Sequence, residues 1–344
     1  MPGSGKDSAI EKKVYESYLY EFAEEPEQMS SIMKVVDEVA KFDLPVLIGG
    51  ETGTGKELLA RIIHDRSPRR EKPFVALDCS DATAESFAGK LFGHEAGFFG
   101  AGAPEAPGKL DAADKGVLFL DDVGRMPLSV QGELVRFLDT GEFKRLGGAE
   151  PVKANVRVIA ATSIDLAREV EADRFNKGLF YHLQVVPLTI PPLRARPSSI
   201  SRLIEYFLTG FLFQYRKPRI TFSPEAMNIL ANYDWPGNVR QLRKFVERIF
   251  VSSEPGAVIS PPDLPNDFFR GLSGMTIASL GYARRQAERE AILNALRHAG
   301  SNREEAARLL QISPRTLRYK INQLGIRADV DPAKGQLSIP SSKL

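Results

Sequence analysis

The 344-residue sequence contains one cysteine, Cys79, and four histidines. A lone cysteine excludes an internal disulfide and fits a reducing compartment, so a cytoplasmic location is expected, with Cys79 as a small buried hydrophobe. No apolar run approaches the roughly 20 residues that cross a bilayer, so no membrane partner is expected. The opening Met1-Pro2-Gly3-Ser4-Gly5-Lys6 has no apolar core and does not read as a signal peptide. There is little net charge, only +2, but it is unevenly spread. Residues 283–327 hold ten Arg and Lys against four Asp and Glu, a local +6 that leaves −4 for the remainder. A basic C-terminal module on a mildly acidic body points to a polyanion partner at one end.

What is present is a phosphate-binding pattern. Gly50-Glu51-Thr52-Gly53-Thr54-Gly55-Lys56-Glu57 follows the apolar run Val46-Leu47-Ile48 and precedes Leu58-Leu59-Ala60-Arg61-Ile62-Ile63, which has helical spacing. A strand running into a glycine-rich turn and then a helix is the context such a loop requires. Backbone N–H groups would face a β-phosphate, Lys56 would meet the β- and γ-phosphates, and the glycines would let the backbone approach. The expected ligand is ATP or ADP. The residue after the lysine, usually Ser or Thr for Mg2+, is Glu57 here. A second element, Gly116–Asp122, is an apolar strand that delivers an acidic pair at its C-terminal end, where ligands bind in open α/β sheets. Asp121 would hold Mg2+ through water, and Asp122 would polarise the attacking water as a weak general base.

Strand-like runs at Pro45–Ile48, Phe74–Leu77, Val117–Leu120, Val156–Ala160 and Val185–Ile190 alternate with helical stretches, which implies a mostly parallel sheet with helices on both faces. Met29, Ile32, Met33, Val36, Val39 and Ala40 mark a helix ahead of the first strand. Residues 1–21 read as a short arm, too small for a sensory domain. Residues 197–252 read as helical throughout, with a start at Ser223-Pro224 and a break at Trp235-Pro236-Gly237. Residues 253–283, rich in Pro and Gly, read as a linker, and 328–344 as a disordered tail. Between these lies a small all-α domain, 284–327. Asn302 starts one helix and Ser313-Pro314 another, with Gly325 as its stop. Two short helices joined by a tight turn make a helix-turn-helix. Ala306, Leu310, Ile312, Leu317, Ile321 and Leu324 would pack inward. Arg315 and Thr316 would reach base edges of double-stranded DNA, Arg318 and Lys320 would grip phosphate, and Tyr319 lies on the same face.

These motifs resemble the bacterial enhancer-binding proteins, AAA+ ATPases that activate σ54-dependent transcription. The matching stretches are Gly50–Lys56, Leu91-Phe92-Gly93-His94-Glu95, Gly116–Asp121, Gly141-Glu142-Phe143-Lys144-Arg145-Leu146-Gly147-Gly148, Pro191-Pro192-Leu193-Arg194 and Trp235-Pro236-Gly237-Asn238-Val239-Arg240. The resemblance implies an AAA+ α/β core over 22–196, a helical lid over 197–252 with Arg240 as its nucleotide-sensing arginine, and a Fis-type domain over 284–327. It implies RNA polymerase as a partner and a homo-oligomer, either a hexameric ring or a dimer through residues 284–300.

Departures from the family pattern are as informative. The σ54-contacting loop Gly-Ala-Phe-Thr-Gly-Ala is replaced by Gly97-Phe98-Phe99-Gly100-Ala101-Gly102, so Gly100 stands where the threonine would be. The acidic pair ends in Asp122 rather than Glu. The switch Asn becomes Asp78 and the sensor Asn becomes Ser163. The two inter-subunit arginines fall at Asn176 and His182. An arginine finger is worth about 10³–10⁵ in rate, and a histidine replaces one only when protonated; Arg174 and Lys177 lie nearby. His94, with no second ligand at metal spacing, reads as structural, in the helix that supports the loop. Three readings stand: a DNA-binding regulator that binds nucleotide without remodelling σ54 polymerase, an ATPase that still activates σ54 transcription, and a subunit of mixed rings with an intact relative.

Overall fold

The structure is a computed structural model, and it describes residues 27–80, 83–265, 288, 291–300 and 302–323. The chain divides into two compact units, one of residues up to 220 together with 230–257, the other of 221–229 together with residues from 258 onward. The expectations for the arm 1–21, for Leu324 and Gly325, and for the tail 328–344 lie outside the described residues, as does most of the linker.

In the first unit, β1 (Val46–Gly49), β2 (Phe74–Asp78), β5 (Val117–Asp121), β8 (Arg157–Thr162) and β9 (Val186–Thr189) form one parallel sheet. Its order is β2-β5-β8-β1-β9. Near-continuous apolar runs build these strands because both faces are covered. Val117 and Phe119 enter one core with Val46, Ile48, Ile159 and Ala161. Their strand neighbours Leu118 and Leu120 enter the other with Leu47, Val158 and Ala160. The period of two thus serves two cores at once. The helix predicted ahead of β1 is α1 (Glu27–Val39), with Met29 and Val36 fully buried under the sheet. The helices α2 (Lys56–Asp65), α3 (Ala84–Phe92), α4 (Lys109–Ala112), α5 (Leu128–Thr140), α6 (Leu166–Glu171) and α7 (Lys177–Leu183) fill the crossovers.

Two antiparallel ribbons escape the sequence reading. β3 (Gly93–His94) pairs with β4 (Ala106–Pro107), and β6 (Glu142–Lys144) with β7 (Pro151–Lys153). Strands of two or three residues carry too little periodicity to be seen. His94 therefore lies on β3, just beyond α3, rather than in the supporting helix.

The stretch 197–252 is not helical throughout. The helix α8 (Ser198–Tyr215) is followed by β10 (Thr221–Phe222), α9 (Pro224–Ala231) and α10 (Asn238–Ser252). β10 pairs in parallel with β11 (Val258–Ile259), inside the stretch read as linker. In the second unit, residues 291–298 are helical, followed by α11 (Arg303–Leu309) and α12 (Pro314–Gln323). Ile292, Leu296, Ala306, Leu317 and Ile321 form their core. The caps fall as read: Asn302 Oδ1 accepts from Glu304 N–H at 3.0 Å and Ser313 Oγ from Thr316 N–H at 3.0 Å.

One buried cation ties α1 to the sheet. Arg157, 2% exposed, donates to the carbonyls of Leu44 (3.1 Å), Ala40 (3.5 Å) and Val39 (3.0 Å), satisfying the end of α1. Arg157→Ala removes the donor from three carbonyls, of which those of Val39 and Ala40 are buried. It is expected to lower the unfolding free energy by about 3 kcal/mol, read as an earlier urea midpoint.

Candidate functional site

The five strands all end on one edge of the sheet, and the candidate residues gather there. β1 leads through Gly50–Gly55 into α2. Gly55 takes φ 106° as the N-cap of α2, and no side chain caps that helix. Its leading N–H groups are thus open to an anion at the positive end of the helix. Thr54 is fully buried and its hydroxyl donates to the Glu51 carbonyl at 2.9 Å. Lys56 is buried, and its Nζ donates to the carbonyls of Gly50 (2.8 Å) and Glu51 (3.1 Å). Burial pushes the Lys56 ammonium down, while the charges of Asp122 and Asp121 push it back up and Arg240 lowers it again. Lys56, Asp121, Asp122 and Arg240 therefore share one electrostatic environment. Glu57 turns away and accepts two bonds from Arg61, at 2.8 and 3.2 Å.

Asp121 ends β5. Burial raises its carboxyl above the ordinary range, and the neighbouring Asp122 raises it further, against Lys56. Such a group gains from any cation placed beside it. Among the described residues no cluster of three or more His, Cys, Asp or Glu could hold a metal by itself.

Asp122 adopts a left-handed conformation, φ 52°. Its Oδ1 accepts from both Ser163 N–H (3.2 Å) and Ser163 Oγ–H (2.7 Å), and its Oδ2 lies 3.8 Å from Arg125. The residue expected as general base is bound to the residue expected as sensor. Sequence reading treated these as two separate substitutions. The only signal for the pairing was that both side chains are short, so one hydroxyl can reach one carboxylate. Asp78 closes on its own turn, accepting from Ser80 N–H (2.8 Å) and Ser80 Oγ–H (2.6 Å). Those bonds hold its carboxyl below the ordinary value.

The sequence is similar to known proteins along most of its length. The Sigma-54 interaction domain model matches residues 22–189, the AAA+ ATPase lid domain model 194–276, and the Fis-family bacterial regulatory protein model 283–324. The response regulator protein FleR of Pseudomonas aeruginosa is 36% identical over 94% of this chain and 72% of its own length. The chain belongs to the bacterial enhancer-binding proteins. The Nif-specific regulatory protein of Azotobacter vinelandii is 38% identical over 87% of the chain, which spans 58% of that relative. Among solved structures, NtrX from Brucella abortus in complex with ADP matches with a TM-score of 0.66 and 30% identity, over 93% of this chain and 74% of that one. The fold is accordingly an AAA+ α/β core with a parallel sheet, a helical lid and C-terminal helix-turn-helix helices.

The residues expected at the inter-subunit positions have partners inside the chain. Asn176 caps α7, accepting from Leu179 N–H at 3.1 Å, while its own N–H donates to the fully buried Gln131 Oε1 at 2.6 Å. His182 Nε2 lies 3.0 Å from Asp139. Arg174 is forked onto Glu169 at 2.7 and 2.8 Å. Lys177 is exposed. In the loop, Phe98 and Phe99 are 38% and 47% exposed, yet Phe99 packs edge-on against His94 at 4.8 Å and against Phe98 at 5.0 Å. The loop is neither buried nor projecting freely.

On α12, Arg315, Thr316, Arg318 and Tyr319 are exposed. Lys320 differs from expectation. It is half-buried, and its Nζ donates to Glu288 at 2.9 Å. The Thr316 hydroxyl shares a 2.7 Å bond with Ser313 Oγ in the cap.

The phosphate turn also touches the lid. A Cβ added to Gly53, at φ 82°, would lie 2.4 Å from the Gly237 carbonyl oxygen and 3.0 Å from Arg240 Cβ. Gly53→Ala is expected to weaken ATP binding by at least about tenfold, measured with a fluorescent analogue, because either the turn or α10 has to move.

Proposed function

We propose that this protein regulates transcription by binding DNA through α12, that its AAA+ domain binds ATP or ADP with little turnover, and that it does not remodel σ54 polymerase. One observation carries the reading: Ser163 holds Asp122 Oδ1 through both its N–H and its hydroxyl, at 3.2 and 2.7 Å. A general base has to be free to accept a proton from water. Here the carboxylate is one methylene shorter than glutamate, and one of its two oxygens, Oδ1, already accepts two hydrogen bonds. Hydrolysis also lacks charge in trans, since Asn176 and His182 stand at the finger positions and are engaged within the chain. Gly100 removes the threonine that would meet σ54.

Binding does not need those parts. The open amides of α2, Lys56 and Arg240 suffice to hold the phosphates. Support comes from NtrX, whose structure was determined in complex with ADP. The donor set fits Mg2+ in a reduced form. Asp121, raised by burial, is a carboxylate that a cation would stabilise, whereas Glu57 is committed to Arg61. Mg2+ would then rest on Asp121 and the phosphates, and would neutralise phosphate charge when bound. On DNA, Arg315 and Thr316 at the start of α12 would read base edges, and Arg318 with Tyr319 would contact the backbone. The protein would pair as a dimer or assemble as a hexameric ring, and would act on RNA polymerase.

A second reading, an active σ54-dependent activator, is favoured by the family match over residues 22–189. Reconstituted transcription separates the two. With σ54 polymerase, ATP and a promoter bearing its binding site, the protein is expected to form no open complexes, and Gly100→Thr alone is not expected to restore them. Open complexes formed by the unaltered chain would establish the second reading and overturn the first.

A further inference from the structure

The side chain of Glu51 is spent on a contact that phosphate binding does not explain. Its main-chain carbonyl faces Lys56, but its carboxylate turns toward the lid. Oε1 accepts from Arg194 Nη2 at 2.6 Å, and Oε2 accepts from Arg194 Nη1 at 2.8 Å and Asn238 Nδ2 at 3.1 Å. This is a bidentate fork, the strongest hydrogen-bond geometry available to an arginine and a carboxylate. Asn238 is fully buried and takes φ 49°, a left-handed conformation that asparagine tolerates better than most residues with a side chain. Its amide is used at both ends. Oδ1 accepts from Leu193 N–H at 2.7 Å, and Nδ2 donates to the Thr52 carbonyl at 3.1 Å as well as to Glu51. Two residues further on, Arg240 N–H donates to the Gly53 carbonyl at 3.3 Å.

We infer that Glu51 is a latch between the phosphate loop and the lid, a positioning residue that acts through Arg194 and Asn238 to set the N-terminus of α10 and hence Arg240. The inference rests on the nucleotide-binding reading above and adds how that site communicates. Residues 51–53 contribute a carboxylate and two carbonyls to one hydrogen-bond network, and Leu193, Arg194, Asn238 and Arg240 contribute the donors. A phosphate group that shifts the loop therefore shifts α10 with it. Packed cores pass small shifts as changes between discrete arrangements, not as gradual deformation. The same network fixes the pH range. The Arg194 guanidinium, and then the Asn238 amide, hold the Glu51 carboxyl at about 2 against an ordinary 4.5. A carboxyl depressed in the folded state keeps its contribution above 4.5 and loses it as pH falls toward 2. Glu51 therefore stays ionised throughout the neutral range, and proton uptake there does not open the latch.

The test uses the full chain and two readouts, amide hydrogen exchange over residues 237–242 without nucleotide and affinity for a fluorescent ADP analogue. Glu51→Gln and Arg194→Gln are each expected to speed exchange at the Arg240 amide and to weaken ADP binding by about tenfold. The double variant is expected to be no weaker than either single one, because both remove the same fork. The charge reversal of Glu51→Arg with Arg194→Glu is expected to recover part of the affinity. Unchanged protection of β5 and β8 would show that the variants are folded, and Arg194→Gln serves if Glu51→Gln is not. Wild-type exchange at 237–242 in a folded Glu51→Gln or Arg194→Gln variant would overturn the latch. So would effects that multiply in the double variant. If the unaltered chain failed to bind ADP, the nucleotide reading would fall, while the exchange measurement would still decide the latch.

Discussion

A buried cation has to be balanced, and the balance around Lys56 organises the nucleotide end of this protein. The parallel sheet sets that ammonium near two carboxylates, and burial works against the charges of Lys56 and Asp121. Lys56 answers by bracing two carbonyls of its own turn, which shapes the loop. Asp121 remains the carboxylate with most to gain from a further cation. Asp122 is satisfied elsewhere, by Ser163. The division of roles between the two aspartates follows from their partners more than from their chemistry, which is the same.

That division links several sequence departures into one physical account. A glutamate at position 122 would carry its carboxylate one methylene further out, and an asparagine at 163 would offer a longer amide. With both shortened, the two side chains close on each other. Nearby, Asn176 serves as a helix cap and His182 faces Asp139. Asp122, Ser163, Asn176 and His182 each have a partner within the chain, as polar groups in a folded interior generally do. The lid contact through Glu51, Arg194 and Asn238 is built in full, so loop and lid are joined.

Much of this was legible in the sequence because long-period signals survive without context. The five sheet strands were read within a residue or two, since runs such as Val117–Leu120 are apolar on both faces. The strand–loop–helix pattern located Lys56, and the Asn302 and Ser313 caps located α11 and α12. What was not legible depended on contacts between distant residues. Nothing local announces that Ser163 reaches Asp122 across 41 positions, or Arg194 reaches Glu51 across 143. The stretches Pro191–Arg194 and Trp235–Arg240 were recognised as motifs, but not that Glu51 is their common partner. Nothing local announces the bond from Lys320 to Glu288, 32 residues away. The ribbons β3–β4 and β10–β11 were missed because two residues cannot display a period.

The central claim is that the site holds nucleotide without turning it over. Steady-state ATP turnover by the purified full-length chain at high concentration, with Mg2+ and with and without DNA, tests it most directly. The account predicts a rate far below roughly one per second per subunit while ATP binding is saturable. Turnover near roughly one per second would mean that Asp122 leaves Ser163 in the working complex, and would contradict it.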